Sequence, residues 1–289
     1  YDYNMKKFLP VFFVILLVFS TPFFVYAKTV KKVTKTATIK PIRILIVPGH
    51  DNEVWGAQYG NIKEADMNLV LAKQIYAILK KDKRFEVYVT RDSLGYTKTF
   101  ADYFSLHQKD IKTFKENSKK EMKNNIASGV VVKKDGVPHV GVNESVAMNL
   151  YGFNKWAGEN KIDAMIHVHF NDYPRNNKWE IGDYKGFAIY VPENQMPNSV
   201  KSLPLAESIF KEMHKKYATS TYEEEKSGII PDQKLIALGA NNTLPENTRS
   251  VLIEYGYIYR FANSTMRHKA YKIMSELTAN GIKNYFFKN

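Results

Sequence analysis

Within Asp163-Ala-Met-Ile-His-Val-His-Phe-Asn-Asp172 an apolar run ends in two histidines one residue apart, followed by an Asn-Asp pair. If Ala164–His169 is a strand, side chains two apart share a face about 6.6 Å along it, so His167 and His169 point the same way. Two other apolar runs end in comparable residues. Ile42-Arg-Ile-Leu-Ile-Val47 runs into Pro48-Gly49-His50, and Ser250-Val-Leu-Ile-Glu254-Tyr255 carries a carboxylate that is costly to bury unless paired or near a metal. Glu64 stands at the head of a helical pattern. Two histidines and one carboxylate that leave a position open for water make a catalytic zinc site, and a second carboxylate beside them would be the general base. The bland alternatives are a satisfied core histidine for His167 or His169 and, for Glu64 and Asp66, favourable contact with a helix dipole.

These residues need elements to hold them. Ile42–Val47 is a run of branched residues suited to a buried parallel strand, and proline then glycine after it deliver His50 at the strand's carboxyl end. Met67, Leu71, Ile75 and Ile78 fall at helical spacing within Lys63–Leu79. Phe85–Thr90 alternates as a second strand, 164–169 is the third, Gly186–Val191 the fourth and Ser250–Tyr255 the last, with helices expected over 144–160, 203–217 and 266–285. Gly228–Thr248 reads as loop. Strands alternating with helices predict an α/β three-layer sandwich whose mixed, mostly parallel sheet is flanked by helices. In such sheets ligands bind beyond the carboxyl ends of the strands, where His50, His169 and Glu254 fall.

Residues 93–143 break the pattern. Phe100, Tyr103, Phe104, Ile111 and Phe114 are spaced as a helix face within a charged stretch, and Val130–Val140 reads as a hairpin turning at Asp135-Gly136. This helix-hairpin stretch is an insertion packed on the sheet, with a lid or docking platform as its functional alternative to simple surface elaboration. Asn143 is placed to cap the helix that follows.

The 289 residues include no cysteine, which excludes disulfides, thiol chemistry and cysteine-rich metal sites. The formal charge of +13 fits an anionic partner. Lysine is scattered through the sequence and no nucleic-acid motif accompanies it, so no nucleic-acid partner is expected. Met5-Lys6-Lys7 followed by Phe8–Ser20 has the charged and apolar regions of a secretory signal, with Val25-Tyr26-Ala27 offering a cleavage site. Residues 1–27 therefore read as signal peptide, those before Met5 being spurious, or as an uncleaved anchor. Residues 28–41 read as a solvated linker, and 42–289 as the catalytic domain. The bulk of the protein is therefore expected to lie outside the cytoplasm, with a membrane contact only if the N-terminal segment stays uncleaved.

Taken in order, Val-Pro-Gly-His50, Lys-Glu64-Ala-Asp-Met-Asn-Leu, Val-Thr-Arg91, Ile-Asp163 through His169-Phe-Asn171, and Leu-Ile-Glu254-Tyr-Gly-Tyr resemble the zinc-dependent N-acetylmuramoyl-L-alanine amidases of the amidase-3 type. The resemblance implies Zn2+ held by His50, Glu64 and His169, Glu254 as the catalytic glutamate, and peptidoglycan as substrate, cut between N-acetylmuramic acid and L-alanine. Other anionic wall polymers are a further expected partner. Departures are visible. Family members usually read Asp-Pro-Gly-His-Gly-Gly in the first motif, whereas here Asp51 and Asn52 replace the glycines. Phe153 and Ala157-Gly158 stand where an Arg and an Ala-Asn pair are common, and His167 stands at a usual serine position. That makes His167 a donor orienting a ligand or an alternative ligand. A zinc peptidase or other amidohydrolase on the same scaffold, and a catalytically silent wall-binding protein, are the rival readings. Trp55, Tyr173 and Trp179 flank the proposed ligands and could stack on sugar or peptide, with core packing the alternative for Trp55.

Overall fold

A computed structural model describes residues 40–288. The signal or anchor at 1–27 and nearly all of the 28–41 linker lie outside the described residues. Strand β1 (Ile42–Pro48) is followed by a two-stranded ribbon, β2 (Gln58–Tyr59) and β3 (Ile62–Lys63), and by helix α1 (Glu64–Lys80). Strand β4 (Phe85–Val89) leads into a second ribbon, β5 (Arg91–Asp92) and β6 (Gly95–Tyr96), then helices α2 (Lys98–Leu106), α3 (Gln108–Ala127) and α4 (Glu144–Glu159). Strands β7 (Ala164–Asn171) and β8 (Ala188–Pro192) precede α5 (Ser199–Met213), and β9 (Ile229–Asp232), β10 (Arg249–Tyr257) and α6 (Ser264–Phe287) complete the chain.

Six strands form one sheet in the order β4-β1-β7-β10-β8-β9. The β4, β1, β7 and β10 strands are parallel, and β8 runs antiparallel to β10 with β9 parallel to β8. The expected mixed, mostly parallel sheet is thus present. Both faces are covered, which explains the continuous apolar runs. Ile44, Ile46, Ile166, Val168, Phe170, Val251, Ile253 and Tyr255 pack into the larger core with Leu71 and Ile75 of α1, Ile209 of α5 and Ile282 of α6. Their alternating neighbours Leu45, Val47 and Met165 join a second core with Phe100 of α2, Ile111 of α3 and Tyr151, Phe153 and Trp156 of α4. By the same alternation His167, His169, Asn171 and Glu254 project to this second side.

Three local expectations need correction. The hairpin expected over 130–140 does not form, and 131–143 contains no strand. Its backbone groups go elsewhere: the Val132 amide donates to Gln195 Oε1 at 2.7 Å, the Val132 carbonyl accepts from Gln195 and Gln233 side-chain amides at 3.0 Å each, and the Lys134 amide donates to Gln233 Oε1 at 2.9 Å. Tertiary partners thus outcompete a short isolated hairpin, which is marginal by itself. Gly228–Thr248 is not all loop, because β9 adds the edge strand. Helix α5 begins at Ser199, a turn before the expected Leu203, so Pro204 lies inside it. Asn143 does cap α4, its side chain accepting from the Val146 amide at 2.9 Å.

Candidate metal centre

Local sequence explains how each candidate ligand reaches the site. Pro48 ends β1, and Gly49 lets the backbone pass under the His169 ring, because a Cβ there would lie 2.2 Å from the ring. His50 follows with φ of 61°, in the left-handed region that non-glycine residues seldom occupy. Gly56, at φ 70°, makes a similar close approach, since a Cβ would lie 2.3 Å from Glu64 Oε2 and 2.5 Å from the His50 ring. Glu64 is the first residue of α1, and His169 sits near the carboxyl end of β7. His50, Glu64 and His169 consequently converge, with one nitrogen or oxygen of each within 4.8 Å of the others.

Glu64 is the hub. Its Oε2 lies 3.0 Å from His50 Nε2 and accepts from the Ala57 amide at 2.9 Å, while its Oε1 lies 3.0 Å from His169 Nδ1 and accepts from Asn68 Nδ2 at 3.1 Å and the Phe170 amide at 3.3 Å. Asn68, one helical turn further along α1, also donates to the Gly49 carbonyl at 3.1 Å. Burial by itself would raise the Glu64 carboxyl, but the charge of His50 and the hydrogen bonds from both imidazoles pull it well below the usual carboxylate range. Burial lowers His169 despite Glu64. At His50, which keeps more contact with solvent, Glu64 outweighs burial and raises the imidazole. The centre therefore pairs a firmly ionised carboxylate with two imidazoles, the donor set of a tetrahedral zinc site with an open position.

Glu254 is held in register beside His169 by the parallel pairing of β10 with β7. Just beyond it the pairing slips, three residues of β10 spanning what two of β7 span, and Gly256 at φ 145° supplies the irregularity. Bulges of this kind re-aim side chains next to active sites. Glu254 Oε2 is buried and has no hydrogen-bond partner. Burial, followed by the negative charges of Glu64 and Glu225, pushes its carboxyl well above the ordinary value. A buried, unpartnered carboxylate is unfavourable unless a cation or a substrate group meets it. That orphaned oxygen, together with the convergent imidazoles, fits a divalent cation.

His167 stays outside the three-residue group. Burial, reinforced by the charge of His169, lowers its imidazole to about 3, opposed by a hydrogen bond with the Ala237 backbone. Its Nε2 has no partner. Trp55 is an exposed residue of the His50 loop, with Lys63 Nζ 3.4 Å above its ring, rather than a core residue. Trp179 covers Gly60 in the β2–β3 ribbon, and Tyr173 clusters with Tyr184 and Tyr222 at ring separations of 4.6 and 5.2 Å.

Sequence reasoning missed Glu225. This buried carboxylate accepts from Asn171 Nδ2 at 2.7 Å, Tyr190 OH at 2.7 Å and Tyr257 OH at 3.0 Å, binding the end of β7 to β8 and β10. It lies in a Glu223-Glu224-Glu225 run that looks solvated, and nothing in the sequence marks the third glutamate. Arg91 was visible as part of a motif but without a role: it is buried, and its Nη2 donates to the carbonyls of Ala65 at 2.7 Å and Gly49 at 3.1 Å.

Comparison with known proteins gives a consistent result. The sequence matches the N-acetylmuramoyl-L-alanine amidase family over residues 44–284. Similar solved structures include an N-acetylmuramoyl-L-alanine amidase from Clostridium difficile 630, at 17% identity and TM-score 0.50 over 86% of this chain and 99% of that one. The CwlD amidase from Clostridioides difficile, solved in complex with the GerS lipoprotein, is 15% identical with TM-score 0.54 over 86% and 100% of the two chains. Ami1 from Mycobacterium smegmatis, an N-acetylmuramyl-L-alanine amidase, is 13% identical with TM-score 0.54 over 87% and 99%. At these identities the likeness establishes the fold. No curated protein sequence matches.

Proposed function

Because the chain belongs to the N-acetylmuramoyl-L-alanine amidase family, a hydrolase of the bond between N-acetylmuramic acid and L-alanine in peptidoglycan, we propose that it works with zinc held by His50, Glu64 and His169 and with Glu254 as the catalytic carboxylate. The observation that carries this reading is the convergence of three ligand atoms within 4.8 Å beside a buried carboxylate oxygen that lacks any partner. Zinc bound there would supply Lewis acidity, lowering the pKa of a water towards about 7 and polarising the scissile carbonyl.

The protein's own groups do the rest. The Ala57 amide and Asn68 side chain fix the two oxygens of Glu64, so the carboxylate faces both imidazoles without rotating. Glu254 Oε2 takes the proton of the attacking water and returns it to the departing L-alanine nitrogen. Its oxygen is buried and free of any other hydrogen-bond partner, so it is available to accept that proton and hand it on. His167, close to His169 along β7, is assigned a supporting rather than a ligating role, which agrees with its position outside the ligand group.

The substrate lies in the wall, so the protein acts outside the cytoplasm. The signal-like segment at 1–27 supports that route, either cleaved or retained as an anchor. Among the described residues no helix is long and apolar enough to cross a membrane. The charge of +13 favours retention on anionic wall polymers as well as on peptidoglycan. Metal analysis tests the assignment. The purified protein should carry one zinc per chain, His169→Ala should lose it, and Glu254→Ala should keep it. Zinc uptake unaffected by His169→Ala would refute the ligand set, and a comparable loss in His167→Ser would refute the choice of His169 over His167.

A further inference from the structure

The turn that carries His50 is held in an unusual backbone conformation. Its φ of 61° places a non-glycine residue in the left-handed region, which persists only when the surroundings enforce it. The next residue is Asp51. Asp51 fastens this turn. Its Oδ1 accepts from the amides of Glu53 at 2.9 Å and Val54 at 2.7 Å, and its own amide donates to the Val54 carbonyl at 3.1 Å. Its Oδ2 accepts from the Tyr96 hydroxyl at 3.1 Å.

Tyr96 is itself immobilised. Its hydroxyl accepts from Asn149 Nδ2 of α4 at 2.9 Å, and its ring packs edge-on against Phe104 at 5.2 Å and beside Phe153 at 5.9 Å. Burial and the charge of Asp51 keep the phenol protonated and donating. In the β5–β6 ribbon Tyr96 pairs with Arg91, which donates to the Gly49 carbonyl at 3.1 Å. One ribbon therefore holds the chain on both sides of His50, residue 49 through Arg91 and residue 51 through Tyr96.

We propose that Tyr96 is a positioning residue for His50, acting through Asp51, and that the β5–β6 ribbon serves as a fixed strut for the turn that carries this histidine. The proposal rests on the reading of His50 as a metal ligand. Loss of groups that orient ligands commonly lowers metal affinity by about 10–100-fold.

Tyr96→Phe keeps the ring and removes the strut. In a chelator competition it should bind zinc about tenfold more weakly than wild type. Tyr103→Phe is the control. It removes from the same aromatic cluster a hydroxyl that donates to Glu159 at 2.6 Å, far from Asp51 in connectivity, and should leave affinity unchanged. Because both changes act on one contact, Asp51→Ala combined with Tyr96→Phe should lose no more than Asp51→Ala alone. Amide exchange at Glu53 and Val54 in metal-free protein should quicken in Tyr96→Phe and not in Tyr103→Phe. Unchanged zinc affinity in Tyr96→Phe, equal losses in both tyrosine variants, or additive losses in the double variant would each overturn the proposal. If wild type takes up no zinc, the ligand reading fails separately, and unchanged exchange at Glu53 and Val54 then overturns the strut.

Discussion

Replacing Glu225 by alanine should destabilise the fold by about 3–5 kcal/mol, a large share of the roughly 5–15 kcal/mol typical of a domain. The figure follows from its three donors. Tyr190 OH is buried and has Glu225 as its acceptor, so its loss leaves an orphaned hydroxyl at about 1–3 kcal/mol. Tyr257 OH lies 2.9 Å from Ser220 Oγ and keeps a partner, while Asn171 is only half-buried and can turn to water. Each nevertheless gives up a bond to a carboxylate, typically about 1.5–3 kcal/mol, and relief from burying a charge offsets part of the total. Glu225→Gln retains an acceptor oxygen and should cost only about 1–2 kcal/mol. Exposed Glu223 in the same acidic run is the reference, and Glu223→Ala should stay within about 0.5 kcal/mol. Urea unfolding of the three variants, with unchanged m-values, measures the series. If Glu225→Ala is no worse than Glu223→Ala, the buried network does not hold the β7, β8 and β10 strands as described.

Two further perturbations probe the 93–143 stretch and its anchorage. Glu193 is held at about 2, against an ordinary 4.5, because hydrogen bonds from Lys134, Gln233 and Gln195 outweigh the raising effect of burial. A carboxyl depressed in the folded state stabilises it above its unfolded pKa, and that contribution fades as pH falls from about 4.5 towards 2. Wild type should therefore lose thermal stability across this window more steeply than Glu193→Gln, and parallel melting curves would show that Glu193 does not tie the 131–137 segment to the sheet. Asn143→Ala removes the side-chain cap of α4 and should cost about 1 kcal/mol in urea unfolding. A cost near zero would mean that Lys115, which pairs with Glu144, suffices to start the helix.

How much could be read from sequence depended on whether a residue's role was local. The β1, β7 and β10 strands were legible because burial on both faces leaves unbroken apolar runs, and Pro48-Gly49 marks where the first one stops. Their carboxyl ends then located His50, His169 and Glu254. The β9 strand was hidden because Ile229-Ile-Pro-Asp232 is short, sits at the sheet edge and contains a proline, which edges tolerate. At 130–140 the turn residues are genuine hairpin signals, but Gln195 and Gln233, distant in sequence, capture the backbone. The same distance concealed Glu225 and the Asp51–Tyr96 contact. The partners of Glu225 lie 32, 35 and 54 positions away and Tyr96 lies 45 from Asp51, so no periodicity or motif announces them.

The most direct test is mass spectrometry of the products that zinc-loaded protein releases from defined muropeptides, with Glu254→Gln in parallel. Free stem peptides beginning with L-alanine and intact N-acetylmuramic acid are expected from the wild type, with no release by a variant that still binds zinc. Cleavage within the stem peptide, or release by Glu254→Gln at the wild-type rate, would contradict the proposed function.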